Sequence, residues 1–135
     1  MSGLAKAERR VTEKPELMGL ITKSTDFLGK RLTVKIDRPI NSRHPKFGWL
    51  YHINYGFVPD TTSPDGEELD VYVLGIEEPL NSFTGVCIAI IRRIDDDDDK
   101  LIVVPENLIA LTDSKIREMT NFQEQYFKSK IIRSA

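Results

Sequence analysis

The stretch Gly85-Val-Cys-Ile-Ala-Ile-Ile-Arg-Arg-Ile94, then Asp95 to Asp99, then Lys100-Leu-Ile-Val-Val104, carries the fold in its pattern. Gly85–Ile94 is nearly continuously apolar with a β-branched bias, which predicts a buried strand, and Leu101–Val104 predicts another. Asp95–Lys100 sits between these two strands and must therefore be a hairpin-type loop. Working outward, Lys30–Asp37 places Leu32, Val34 and Ile36 on one side and polar residues on the other, a half-buried strand. Phe47–Val58 is aromatic-dense and strand-like, and Pro59 closes it. Asp60–Gly66 is turn chemistry, and Leu69–Ile76 reads as a further strand. Thr112 or Asp113 is a helix N-cap, after which Ile116, Met119, Phe122 and Tyr126 recur at helical spacing. Five strands and one C-terminal helix predict an α+β, mainly β, chain: a strongly curved sheet or small closed barrel with the helix packed outside.

Residues 1–16 are polar, end near Pro15 and read as an N-terminal arm, with a short helix over Leu4–Val11 as one option. Residues 17–135 read as a single domain. The 135 residues, 40% hydrophobic and 30% charged, are enough for a core without a disulfide or structural metal. The lone Cys87 sits in an apolar run and reads as a small buried hydrophobe, which favours a reducing compartment. No apolar run approaches the roughly 18 residues of a membrane span, and no signal-peptide core is visible. The expectation is a cytoplasmic protein that engages no membrane.

The net charge of −2 hides a strong segregation. Residues 1–59 hold 11 Lys/Arg against 5 Asp/Glu, whereas residues 60–99 hold 2 against 12. A nucleic-acid binder would show a broad basic excess, so no nucleic acid is expected. The division suits a place where cations meet a polyanion. Asp65-Gly-Glu-Glu-Leu-Asp70 sets carboxylates at the mouth of a strand in which Asp70, Tyr72 and Leu74 share one face and Leu69, Val71 and Val73 the other. Asp65 and Glu67 can bend back over Asp70, because Gly66 frees the turn. Asp95–Asp99 forms the second acidic segment, and Lys100 closes it. Acidic runs are commonly solvated loops. Two such clusters at strand ends of a curved sheet can also meet, and hard divalent cations would relieve their repulsion. Trp49, Tyr51, Tyr55 and Phe57 alternate and read as core, Arg92 and Arg93 as ordinary surface charges, and His44 and His52 as surface or satisfied histidines.

The order of Asn54-Tyr-Gly-Phe-Val-Pro59, Asp65-Gly-Glu-Glu-Leu-Asp-Val71 and Asp98-Asp-Lys-Leu-Ile-Val-Val-Pro105 resembles the soluble, Mg²⁺-dependent (family I) inorganic pyrophosphatases, as a short, divergent member. The resemblance runs from Leu32 to Tyr126. It implies an OB-like five-stranded barrel with peripheral helix, a homo-oligomer, and Mg²⁺-dependent hydrolysis of inorganic diphosphate to two phosphates. It implies Asp65, Asp70, Asp95 and Asp98 as metal ligands, and Glu67 at the position that activates the attacking water. Arg43, Tyr55, Lys100 and Tyr126 match substrate-binding positions. The chain departs from the family in three places. Glu67 stands for an aspartate, the stretch between Asp37 and Arg43 is shorter, and Tyr126-Phe127 stands for a Tyr-Lys pair. Two other functions share these features: a hydrolase of another phosphoanhydride such as a nucleotide, and a non-catalytic barrel that only binds divalent metal.

Overall fold

The computed structural model describes residues 21–95 and 98–134. The N-terminal arm read over residues 1–16 lies outside them. Six strands follow in chain order: β1 (Arg31–Arg38), β2 (Asn54–Val58), β3 (Leu69–Val73), β4 (Ser82–Arg93), β5 (Asp99–Val104) and β6 (Ser129–Ile132). One helix, α1 (Asp113–Glu124), separates β5 from β6. The hydrogen-bonded order is β1-β2-β3-β5-β4, and β1 returns to β4, so the five predicted strands close into a barrel. All neighbours are antiparallel except β3 and β5, which run parallel. β4 is long because its first half pairs with β1 and its second half with β6.

The period-2 pattern of each strand divides the core in two. Val34, Val58, Val71, Val73, Cys87, Ile90, Leu101 and Val103 draw on all five barrel strands and fill the interior. There, burial pushes the Cys87 thiol up to about 11. The outer face carries Tyr55, Tyr72, Leu74, Ile91, Ile102 and Val104, and α1 covers it with Ile116, Met119 and Phe122. The predicted faces of β3 are therefore the observed ones. Thr112 is the N-cap of α1, its hydroxyl accepting from the Lys115 backbone N–H at 3.2 Å.

Three expectations change. The aromatic run from Phe47 becomes a strand only at Asn54. Before it, the Arg43–Leu50 bridge folds the chain on itself, and the Phe47 and Trp49 rings stack at 5.2 Å. α1 ends at Glu124, so Tyr126 falls outside the helical stripe and is 76% exposed. β6 was not expected; its four residues are too few to show alternation.

Gly56 explains why the Asn-Tyr-Gly segment needs its glycine. It pairs with Ile36 where β1 bulges, and a Cβ there would lie 1.8 Å from the Lys35 carbonyl oxygen. Backbone, unlike a side-chain tip, has little room to yield. Gly56→Ala is expected to lower stability by about 3 kcal/mol, the upper end for overpacking. Urea denaturation measures it, and an unchanged midpoint would show that β1 and β2 are not in this register.

Candidate active site

Strand register assembles one buried polar cluster on the outer face of the barrel. Asp70 of β3 and Lys100 of β5 are direct partners in the parallel pair, so their side chains emerge side by side. Tyr55 of β2 sits opposite Tyr72 of β3 on the same face. The Lys100 ammonium donates to Asp70 Oδ2 at 2.5 Å, to Tyr55 Oη at 3.0 Å and to Asp98 Oδ2 at 3.2 Å. Asp70, Tyr55 and Lys100 are fully buried, and Asp98 is 9% exposed. A buried ion pair is tolerated only where further hydrogen bonds satisfy its atoms, and these contacts meet that condition at Lys100.

The cluster continues through residues that sequence reasoning had assigned elsewhere. Arg93, at the end of β4, donates from Nη1 to Asp98 Oδ2 at 3.2 Å. Its Nη2 and Nε form a fork on Glu124 at 2.6 and 3.2 Å. Tyr72 donates its hydroxyl to Glu124 Oε2 at 2.6 Å, and the guanidinium lies 3.6 Å over the Phe127 ring. Burial, and then the Glu124 carboxylate, hold the Tyr72 hydroxyl well above the ordinary tyrosine pKa, so it remains a donor. Burial would lower the pKa of Arg93, but the bonds and charge of Glu124 outweigh it and the guanidinium stands above its ordinary value. The only signal for Arg93 in the sequence is a pair of arginines at the end of an apolar run, one residue before five aspartates. Glu124 carried none.

The remaining predicted residues are placed as follows. Asp65 is exposed at the turn before β3, where Gly66 takes a φ of 89°. Asp65 Oδ1 accepts from the Ser63 hydroxyl at 2.5 Å and from the Glu67 backbone N–H at 3.0 Å. Glu67 is half-buried, and Asp95 is exposed just beyond β4. Arg43 is exposed in its loop and donates to the Gly48 carbonyl at 2.9 Å. The alternation of β5 turns Asp99 away from Asp98, toward the Arg92 fork at 3.1 and 3.0 Å and the Ser24 hydroxyl. Among the described residues, no group of three or more His, Cys, Asp or Glu stands ready to hold a metal ion. The structure thus brings Asp70 and Asp98 together around Lys100 and does not gather Asp65 and Asp95 into such a group with them. As chemistry the donor set fits a hard divalent cation: it is all carboxylate oxygen, and two of its members already face one centre of positive charge.

Arranged this way, the cluster pairs acids with a lysine and a tyrosine that are suited to phosphate oxygens. A family model described as inorganic pyrophosphatase matches residues 26–132. An inorganic pyrophosphatase of Rickettsia prowazekii is 34% identical over 82 residues, which cover 58% of this chain and 48% of that protein. One from Saccharolobus solfataricus is 29% identical over 103 residues, covering 73% of this chain and 56% of that protein. The crystal structure of inorganic pyrophosphatase from Ehrlichia chaffeensis has the same fold, with a TM-score of 0.60 at 21% identity over 81% of this chain and 88% of that one. The chain spans about half the length of the curated relatives it matches. With a match that takes in all five barrel strands, α1 and β6, the chain belongs to the inorganic pyrophosphatase family.

Proposed function

We propose that this chain hydrolyses inorganic pyrophosphate to two phosphates with Mg²⁺. The observation that carries the reading is the buried junction of Tyr55, Asp70, Asp98 and Lys100. It joins one residue or more from each of the three segments that resemble the family. Asp65, Asp70, Asp95 and Asp98 are the residues that would hold the metal. When bound, Mg²⁺ supplies charge for phosphate oxygens and makes water easier to deprotonate.

The chain's own residues do the rest. Glu67, at the mouth of β3, takes the proton from the attacking water. Lys100 and Tyr55 hold phosphate oxygens from the barrel side, and Arg43 and Tyr126, both exposed, hold them from the solvent side. The hydrophobic wall of Tyr51, Tyr72 and Phe122 around Tyr55 keeps the local dielectric low, which strengthens each of these contacts.

The test is phosphate release by the purified chain from pyrophosphate and from ATP, each with and without Mg²⁺. Release from pyrophosphate that requires Mg²⁺ is the expected result. Release from ATP alone would assign the site to a nucleotide, and release from neither would leave a metal-binding barrel.

A further inference from the structure

We infer that Arg93 and Glu124 set the affinity of this site for its divalent cation, with Arg93 as a resident competitor for Asp98 and Glu124 as the carboxylate that draws Arg93 away. The inference rests on the reading of Asp98 as a metal ligand. Arg93 is 2% exposed and, among the described residues, places one donor on Asp98 and two on Glu124. A divalent cation at Asp98 must share or displace the guanidinium. How strongly Arg93 resists depends on its hold by Glu124, which Tyr72 and the Phe127 ring fix in place.

Charge gives the sign. Among the described residues, the cluster contains two cations, Lys100 and Arg93, against three carboxylates, Asp70, Asp98 and Glu124. Removing Arg93's charge deepens the excess of acids and takes one donor from Asp98 Oδ2, on which Lys100 remains, so a cation binds more tightly. Removing Glu124's charge weakens its hold on Arg93 and leaves more of the guanidinium's charge to Asp98, so a cation binds less tightly. Removing both restores the balance. Neither residue is asked to touch the cation. Both are positioning residues, acting through Asp98.

The experiment titrates the full chain with Mn²⁺ alone, followed by electron paramagnetic resonance of the free ion, without substrate. Arg93→Met is expected to bind about tenfold or more tightly than the unaltered chain, and Glu124→Gln about tenfold or more weakly, the scale of residues supporting a metal ligand. Arg93→Met/Glu124→Gln is expected to return to within about threefold of the unaltered chain. Altered stability alone would not move the two single variants in opposite directions. If Arg93→Met does not fold, Glu124→Gln decides: weaker binding supports the inference, and unchanged or tighter binding overturns it. A double variant that stays as weak as Glu124→Gln would make Glu124 itself a ligand and overturn it too. Unaltered chain that binds Mn²⁺ while neither single variant shifts overturns the inference alone. Unaltered chain that binds no Mn²⁺ overturns the metal site and the inference with it.

Discussion

Replacing Lys100 by methionine is expected to lower the stability of the fold by about 3–5 kcal/mol, because it leaves a buried carboxylate without its counter-charge. Asp70 is fully buried and its Oδ2 accepts from the Lys100 ammonium at 2.5 Å. Methionine matches much of the lysine stem but brings no charge, so packing is largely preserved while the ion pair is lost. Against a total of about 5–15 kcal/mol, the loss is a large fraction of the whole. Adding Asp70→Leu to Lys100→Met removes the second charge as well, and replacing a buried pair entirely by apolar groups is often close to neutral. The double variant is therefore expected to be more stable than Lys100→Met. Urea denaturation of the four members of this cycle checks both statements. A Lys100→Met variant within about 1 kcal/mol of the parent would show that water reaches the pair. The comparison separates the cost of leaving one charge unpaired from the net worth of the pair itself.

The neighbourhood of Lys100 was legible from the apolar run that follows it, but its place was not: the sequence reads it as the end of the loop before Leu101, whereas β5 already begins at Asp99. The pairing with Asp70 was less legible still, since it depends on β3 and β5 being parallel neighbours in a closed barrel. Arg93 was not legible. Cys87, Ala89, Ile91 and Arg93 have the same parity and should share a face. Yet Cys87 lies in the barrel interior, whereas Ala89 and Ile91 lie on the outer face, because the register shifts between Cys87 and Ala89. A single extra residue inverts everything beyond it. The bulge aims Arg93 at Asp98 and Glu124 and Arg92 at Asp99. Nothing in the apolar run from Val86 to Ile91 marks where such a bulge falls.

The far end of the helix shows tertiary structure overriding periodicity. Tyr126 continues the spacing of Ile116, Met119 and Phe122, but the chain leaves the helix two residues earlier. Phe127 is taken up beneath Arg93, and the Lys128 carbonyl accepts from the Ile94 N–H at 2.8 Å, which docks β6 along the end of β4. The contacts that stop the helix are therefore made to β4, far away in sequence. They are also the contacts that bring Glu124 to Arg93. The same distant pairing hid both the strand and the carboxylate.

Glu67 is the residue on which the catalytic reading stands most directly, and Glu67→Gln is expected to lower Mg²⁺-dependent phosphate release from pyrophosphate by about 10²–10⁴-fold, the usual contribution of a general base. The fold should tolerate the change. The hydrogen bond that shapes the turn, to Asp65 Oδ1, is made by the backbone N–H of Glu67, and glutamine keeps it. The side chain is half-buried at the mouth of β3, and its replacement is isosteric. The loss should therefore fall on kcat, with KM little changed, since a residue that acts only as the proton leaves adds little to ground-state binding. Asp70→Asn gives the contrast. It removes a predicted metal ligand and the partner of Lys100 together, so both turnover and unfolding midpoint should fall. Steady-state kinetics at saturating Mg²⁺, paired with urea denaturation, separates the two variants. Full turnover in Glu67→Gln would remove Glu67 from the chemistry. The proton would then have to be taken by a carboxylate of the second acidic segment, where Asp98 is already committed to Lys100 and Arg93.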